Sequence, residues 1–308
     1  MRDRQLDLLR GISVLGMFFF SLILFFCDHL PLILIHNSPG HMLPGDFVLT
    51  TFLFVSGVSI SILRSRYSSP WSPALWKKVG ARLCAMVAVS CVVTPFSVGS
   101  FLAMDEIMLN AVLTPPTVII AGASPTILYG IILAVGIWYS CATFLGAPFI
   151  SSEQYLGGYR AALLFLPIMI GGILIQKRAA GSLRGDFILW SAITAVSLVV
   201  WGLPDKMGVN PTFMAFSCVV SIGILAILRA GRITHDWIEY CGQHSLRMWF
   251  LMFVLLGPLR LFAEMKTKRW QMSLEWYQAV ALAIGWMIVC YWISRLIDLL
   301  PTKKSAKT

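Results

Sequence analysis

The residues best suited to chemistry lie in one short connector, His36-Asn37-Ser38-Pro39-Gly40-His41-Met42-Leu43-Pro44-Gly45-Asp46, set between two hydrophobic runs. It holds two of the protein's five histidines and an aspartate. Imidazole changes charge near neutral pH, so a histidine with a carboxylate at hand is the side chain of choice for proton transfer or nucleophilic attack. The prolines and glycines around it exclude regular helix. At membrane depth such backbone survives only when protein buries it or when it lines a watery cavity. Asp46 stands directly before an apolar run, where a carboxylate caps free helix amides and can also orient a histidine. The neighbouring Asp28 and His29 read as interfacial polar residues. Histidines at 29, 36 and 41 match no compact ligand spacing, so no metal is expected.

A second set of candidates lies far from this connector in sequence. Asp7 and Arg10 are three residues apart and share a helix face at the mouth of the first apolar run. Two readings are open: an arginine anchoring the helix end at the interface, or one turned into the bundle to bind an anionic group such as phosphate. Gly11 beside them permits close approach by a ligand or another backbone. Gly242-Gln243-His244-Ser245-Leu246-Arg247 opens a late apolar run. Ser245 suits a helix cap; helix amides with His244 and Arg247 equally suit an anion site.

Something must hold these residues, and the composition says what. Of 308 residues, 58% are hydrophobic and only 12% charged, with a mean hydropathy of +0.80. That is far more apolar sequence than one soluble core uses, so the fold class expected is an all-α polytopic membrane helix bundle. One integral membrane domain over 1–308 is expected, ending in a basic tail at 301–308. The net charge of +10 sits between apolar runs rather than along a stripe, which points to loops facing the cytoplasm and not to nucleic acid. Seven cysteines without CxxC spacing exclude a disulfide framework or cysteine metal site. The first apolar run reads as a span and not as a cleavable signal.

Ten spans are expected, at 11–27, 47–63, 83–98, 107–121, 126–145, 161–175, 187–203, 212–228, 245–262 and 276–300. The fourth is short and interrupted by Pro115-Pro116. If it crosses, the basic loops at 64–82, 177–184 and 229–247 and the tail all fall on the side of the N-terminus, which places both termini in the cytoplasm. Lys206 is then one of a few basic residues in outer loops. Pro70 to Trp76 reads as an interfacial piece. Gly57 with Ser61, Gly130 with Ala134, and Gly171-Gly172 fit close helix packing. P-loop, GxGxxG and Gly-x-Ser-x-Gly patterns are absent, and so are the mid-span charges of a pump's proton relay.

Leu6-Asp7-Leu8-Leu9-Arg10-Gly11-Ile12 resembles the opening motif of transmembrane acyltransferases of the heparan-alpha-glucosaminide N-acetyltransferase type, including bacterial relatives. Asp46 to Gly57 is similar to that family's second span, and Gly242 to Leu246 to its late-span motif. In the family a catalytic histidine stands ten residues before the aspartate, which is His36 here. Motif coverage is best over 6–63 and 242–246. The chain departs from the pattern at Ser21, Pro39, Thr50 or Thr51, His244 and Met252, where the family favours Asn, Trp, Pro, Asn and His.

The resemblance implies an acyltransferase moving an acyl group, acetyl being the one expected, from cytoplasmic acyl-CoA to an outer-side glycan amine or hydroxyl. Its catalytic residues would be His36 and Asp46; Arg10, Asp7, Gly11, Ser245, Arg247 and His244 would form the acetyl-CoA site. A bacterial inner membrane is the expected location. A carrier or flippase is the alternative, suited by a broken helix at 107–121, and a non-catalytic family member is a third.

Overall fold

The computed structural model describes residues 3–27, 29–35, 43–97, 105–144, 162–178, 183–206, 209–267 and 273–300. Among them the fold is all-α, with α1 (Arg4–Phe26), α2 (Asp46–Arg64), α3 (Pro73–Ser97), α4 (Glu106–Ile120), α5 (Pro125–Phe144), α6 (Leu166–Lys177), α7 (Leu183–Trp201), α8 (Pro211–Ala230), α9 (Asp236–Gln243), α10 (Ser245–Thr267) and α11 (Trp276–Leu299). Each of the ten expected spans falls on a helix, and α9 is the addition. Six helices, α1, α2, α5, α7, α8 and α11, are long and apolar enough to cross a membrane. The protein is a membrane helix bundle.

The helices start where polar caps stand beside apolar runs. Asp3 accepts from Leu6 N (3.2 Å) and begins α1. Asp105 accepts from Met108 N (2.6 Å) and begins α4. Asn210 accepts from Phe213 N (2.8 Å), with Pro211 at the first position of α8. α1, α2, α4, α6 and α8 form the buried interior, while α5, α7 and α11 turn apolar side chains such as Leu133, Val199 and Trp292 outward, as lipid requires.

Two glycine pairs draw the interior together. A Cβ on Gly11 would sit 2.0 Å from Ile238 O, and one on Gly242 2.0 Å from Asp7 O, so α1 and α9 touch backbone to backbone. Gly57 against Met169 O (2.0 Å) and Gly172 against Phe54 O (2.1 Å) do the same for α2 and α6. Gly130 differs from the expectation: no other element lies within 4 Å of the position its Cβ would take, because α5 faces outward there. Ion pairs from Arg229 to Asp3 (2.7 Å) and from Arg4 to Glu239 (2.8 Å) fasten the start of α1 to α8 and α9.

Two other expectations are corrected. α3 begins at Pro73, ten residues early, so the second half of the interfacial piece is its first turn: Trp76 Nε1 donates to Pro70 O (2.8 Å) and its ring stacks on Trp71. α4 runs unbroken through Pro115 and Pro116, with the Thr114 and Thr117 hydroxyls on the Asn110 and Leu113 carbonyls (2.7 and 2.6 Å). The two ends of the connector after α1 lie at different levels. Val48 packs into the space a Gly16 side chain would fill, 2.5 Å from its Cβ position. The α1 helix therefore continues ten residues, roughly 15 Å, beyond that contact. The start of α2, and Asp46 with it, lies inside the bundle rather than at its rim.

Candidate active site

At the other end of α2, the Arg10 side chain leaves α1 sideways. Its Nη1 donates to Asp7 Oδ1 (2.9 Å) and its Nη2 to Ser59 Oγ on α2 (2.6 Å). Asp7 is buried, so the pair fixes the guanidinium instead of leaving it to reach for the interface. Arg10 lines a cavity of about 450 Å³ with Arg82, Arg247, His244 and Ser245. That size is ordinary for a ligand site.

The α9–α10 break shapes this cavity. α9 ends at Gln243, His244 donates its backbone N–H to Tyr240 O (3.0 Å), and Ser245 opens α10. Ser245 is thus the first residue of α10, and the positive helix end is turned to the cavity. The His244 ring stacks on Tyr240 with centroids 4.2 Å apart. Arg247 Nη1 is held by Asp298 Oδ1 (2.5 Å) and Ser294 O (3.2 Å) on α11, while Tyr240 donates to Asp298 Oδ2 (2.6 Å). Burial, with the Asp298 carboxylate against its hydroxyl, raises the Tyr240 phenol above its ordinary value, so it remains a neutral donor.

Four of the six residues expected at a donor site line this one cavity: Arg10, His244, Ser245 and Arg247. Asp7 stands behind Arg10. Gly11 takes the other option foreseen for it, since the backbone of α9 occupies the space beside it. Arg82 reads in the sequence only as part of a basic loop, yet it lines the same cavity as Arg10. Its position one residue before an expected span was the available signal.

The second half of the site is Asp46. It is the first residue of α2 and not the cap before it, and it is fully buried. Its Oδ2 accepts from Leu43 N (3.0 Å) and its Oδ1 from Lys206 Nζ (3.0 Å). Lys206 is therefore not a solvated outer-loop lysine. The α7–α8 connection is built to present it. Gly202 ends α7 with φ of 77°, and Asn210 accepts from Asp205 N (3.2 Å) and donates to Leu203 O (2.8 Å). Val209 is held at φ of 43°, a strained value for a β-branched residue. Nothing in the sequence distinguished Lys206 from other loop lysines.

Phe52 joins the two halves. It lines the cavity, and it lies six residues along α2 from Asp46, roughly 9 Å. His36 and His41 lie outside the described residues. No cluster of three metal-ligating side chains occurs among the described ones.

A family model, heparan-alpha-glucosaminide N-acetyltransferase, catalytic, matches residues 2–254. The chain belongs to that family. The match takes in the cavity, Asp46 and Lys206, and it ends inside α10, so Ser294 and Asp298, which hold Arg247, lie beyond it. No curated protein matches the chain. The departures from the acetyltransferase pattern include His244, which this structure stacks on Tyr240 at the cavity wall.

Proposed function

We propose that this protein is a membrane acyltransferase that takes an acyl group, acetyl in the simplest case, from acyl-CoA and passes it to a glycan amine or hydroxyl on the other side of the membrane. The observation that carries the reading is the cavity itself. It has a basic mouth at the N-terminal end of α1 and reaches Phe52, on the helix that begins with Asp46. With both termini cytoplasmic, as the Lys and Arg distribution indicates, the mouth opens to cytoplasmic CoA and Asp46 lies toward the acceptor side. The bacterial inner membrane is the location proposed.

Arg10, Arg82 and Arg247 bind the donor's phosphates by charge-assisted hydrogen bonds, aided by the α10 amides at Ser245. His244 contributes a ring nitrogen at the same wall. Asp7 holds Arg10 in place. His36, ten residues before Asp46, removes the proton from the acceptor amine or hydroxyl as it attacks the acyl carbon, the thioester C–S bond breaks and CoA leaves as the thiol with that proton, an effect worth ~10²- to 10⁴-fold; in a two-step route the imidazole takes the acyl group first, expelling CoA, and the acceptor then displaces the imidazole. Asp46 orients the imidazole and stabilises its protonated form. Lys206 holds the buried Asp46 carboxylate in position through their ion pair.

The carrier alternative needs a discontinuous helix at mid-membrane, and α4, the segment that suited it, is continuous. Purified protein given labelled acetyl-CoA and a panel of amino sugars decides between the readings: an acyltransferase yields labelled acetyl product, and a carrier or scaffold yields none.

A further inference from the structure

The residues lining the cavity divide by chemistry. The mouth is made of donors: three arginines, a histidine and helix amides. Away from it lie Phe52, Met86 and Ile107, all apolar and buried, and with them one buried polar side chain, Asn110. Asn110 is 1% exposed, and its Oδ1 has no hydrogen-bond partner. Its own backbone carbonyl is occupied by the Thr114 hydroxyl (2.7 Å), so the side chain is the unpaired part. Buried polar atoms are almost always paired, and an unpaired carbonyl oxygen on a residue that lines a cavity asks for a ligand donor.

The position within the helix sharpens the point. Asn110 lies one turn into α4, whose buried face is otherwise apolar apart from threonines that bond to their own helix. An apolar residue would fill this place without leaving an unpaired acceptor. We propose that Asn110 is a binding residue for the donor's arm: its Oδ1 accepts a hydrogen bond from an amide N–H of the pantetheine chain while the arginines hold the phosphates. This rests on the acyl-CoA reading above and adds a division of labour to it. The mouth reads the charged nucleotide end, and Asn110 reads the amide-bearing arm, fixing how far the thioester is inserted toward Asp46.

Fragments of the coenzyme test this. Acetyl-CoA carries both parts, and 3′-phospho-ADP carries the charged end alone. In detergent-solubilised full-length protein, Asn110→Leu is expected to weaken acetyl-CoA binding about tenfold, one hydrogen bond's worth, and to leave 3′-phospho-ADP binding unchanged. Arg82→Gln is expected to weaken both. Without ligand, Asn110→Leu melts no lower than the wild type, because it removes an unpaired polar atom; Asn110→Ser serves as a second variant should the leucine not pack. Equal acetyl-CoA affinity in folded wild type and variant overturns the assignment, as does an equal loss for both ligands. A wild-type protein that binds 3′-phospho-ADP but gains nothing from the arm also overturns it. One that binds neither removes the acyl-CoA reading itself.

Discussion

Lys206 and Asp46 are 160 residues apart in the chain and 3.0 Å apart in the fold, with their side chains 5% and 0% exposed. A buried ion pair is weak evidence for stability, because desolvating both charges offsets their attraction. Its placement at the start of α2, on a strained connection, fits a site that holds a carboxylate in a fixed position.

Lys206→Met leaves Asp46 buried beside a neutral side chain, and about 3–5 kcal/mol of stability should be lost. Asp46→Leu with Lys206→Met removes both charges and should recover most of it, while acyl transfer stays low in both variants. Thermal melting in detergent, read beside turnover, checks this. Recovery of activity in the double variant would return the pair to a packing role.

Arg10→Ala and Arg82→Gln should both weaken acetyl-CoA binding, by about tenfold or more for each lost phosphate contact. Arg10 also pairs with buried Asp7, so its loss affects stability as well; no ion pair among the described residues ties Arg82. Titration calorimetry on folded protein, at fixed salt, separates the two effects. An unchanged dissociation constant in both variants would make Arg10 a helix anchor and nothing more.

Gly11→Ala and Gly172→Ala each drive a methyl group onto a backbone carbonyl, and should cost about 1–3 kcal/mol as α1 and α9, or α2 and α6, are forced apart. Gly130→Ala has open space beside it and should raise stability by up to about 1 kcal/mol through helix propensity. Melting temperatures of the three variants give the comparison.

The helices were legible because their apolar runs are long and their caps are local. Asp7 and Arg10 share a helix turn, and Ser245 and Arg247 lie in one short motif, so spacing alone exposed them as candidates. What spacing does not carry is a contact made across the fold. Lys206 looked like any loop lysine because its partner lies 160 residues away. Asn110 sits in a segment that reads as broken, since prolines in a mostly buried helix can be accommodated by packing that a single sequence does not show. Gly130 misled for the converse reason: small-residue spacing permits close packing but does not supply the neighbour.

The central claim is that acyl transfer depends on His36 acting beside Asp46, apart from donor binding. Single-turnover transfer from labelled acetyl-CoA, measured for wild type, His36→Ala and His41→Ala with CoA affinity determined on the same preparations, tests it most directly. The account predicts that His36→Ala loses ~10²- to 10⁴-fold in rate with CoA affinity unchanged, and that His41→Ala keeps most of its activity. Wild-type rates in folded His36→Ala protein would contradict it.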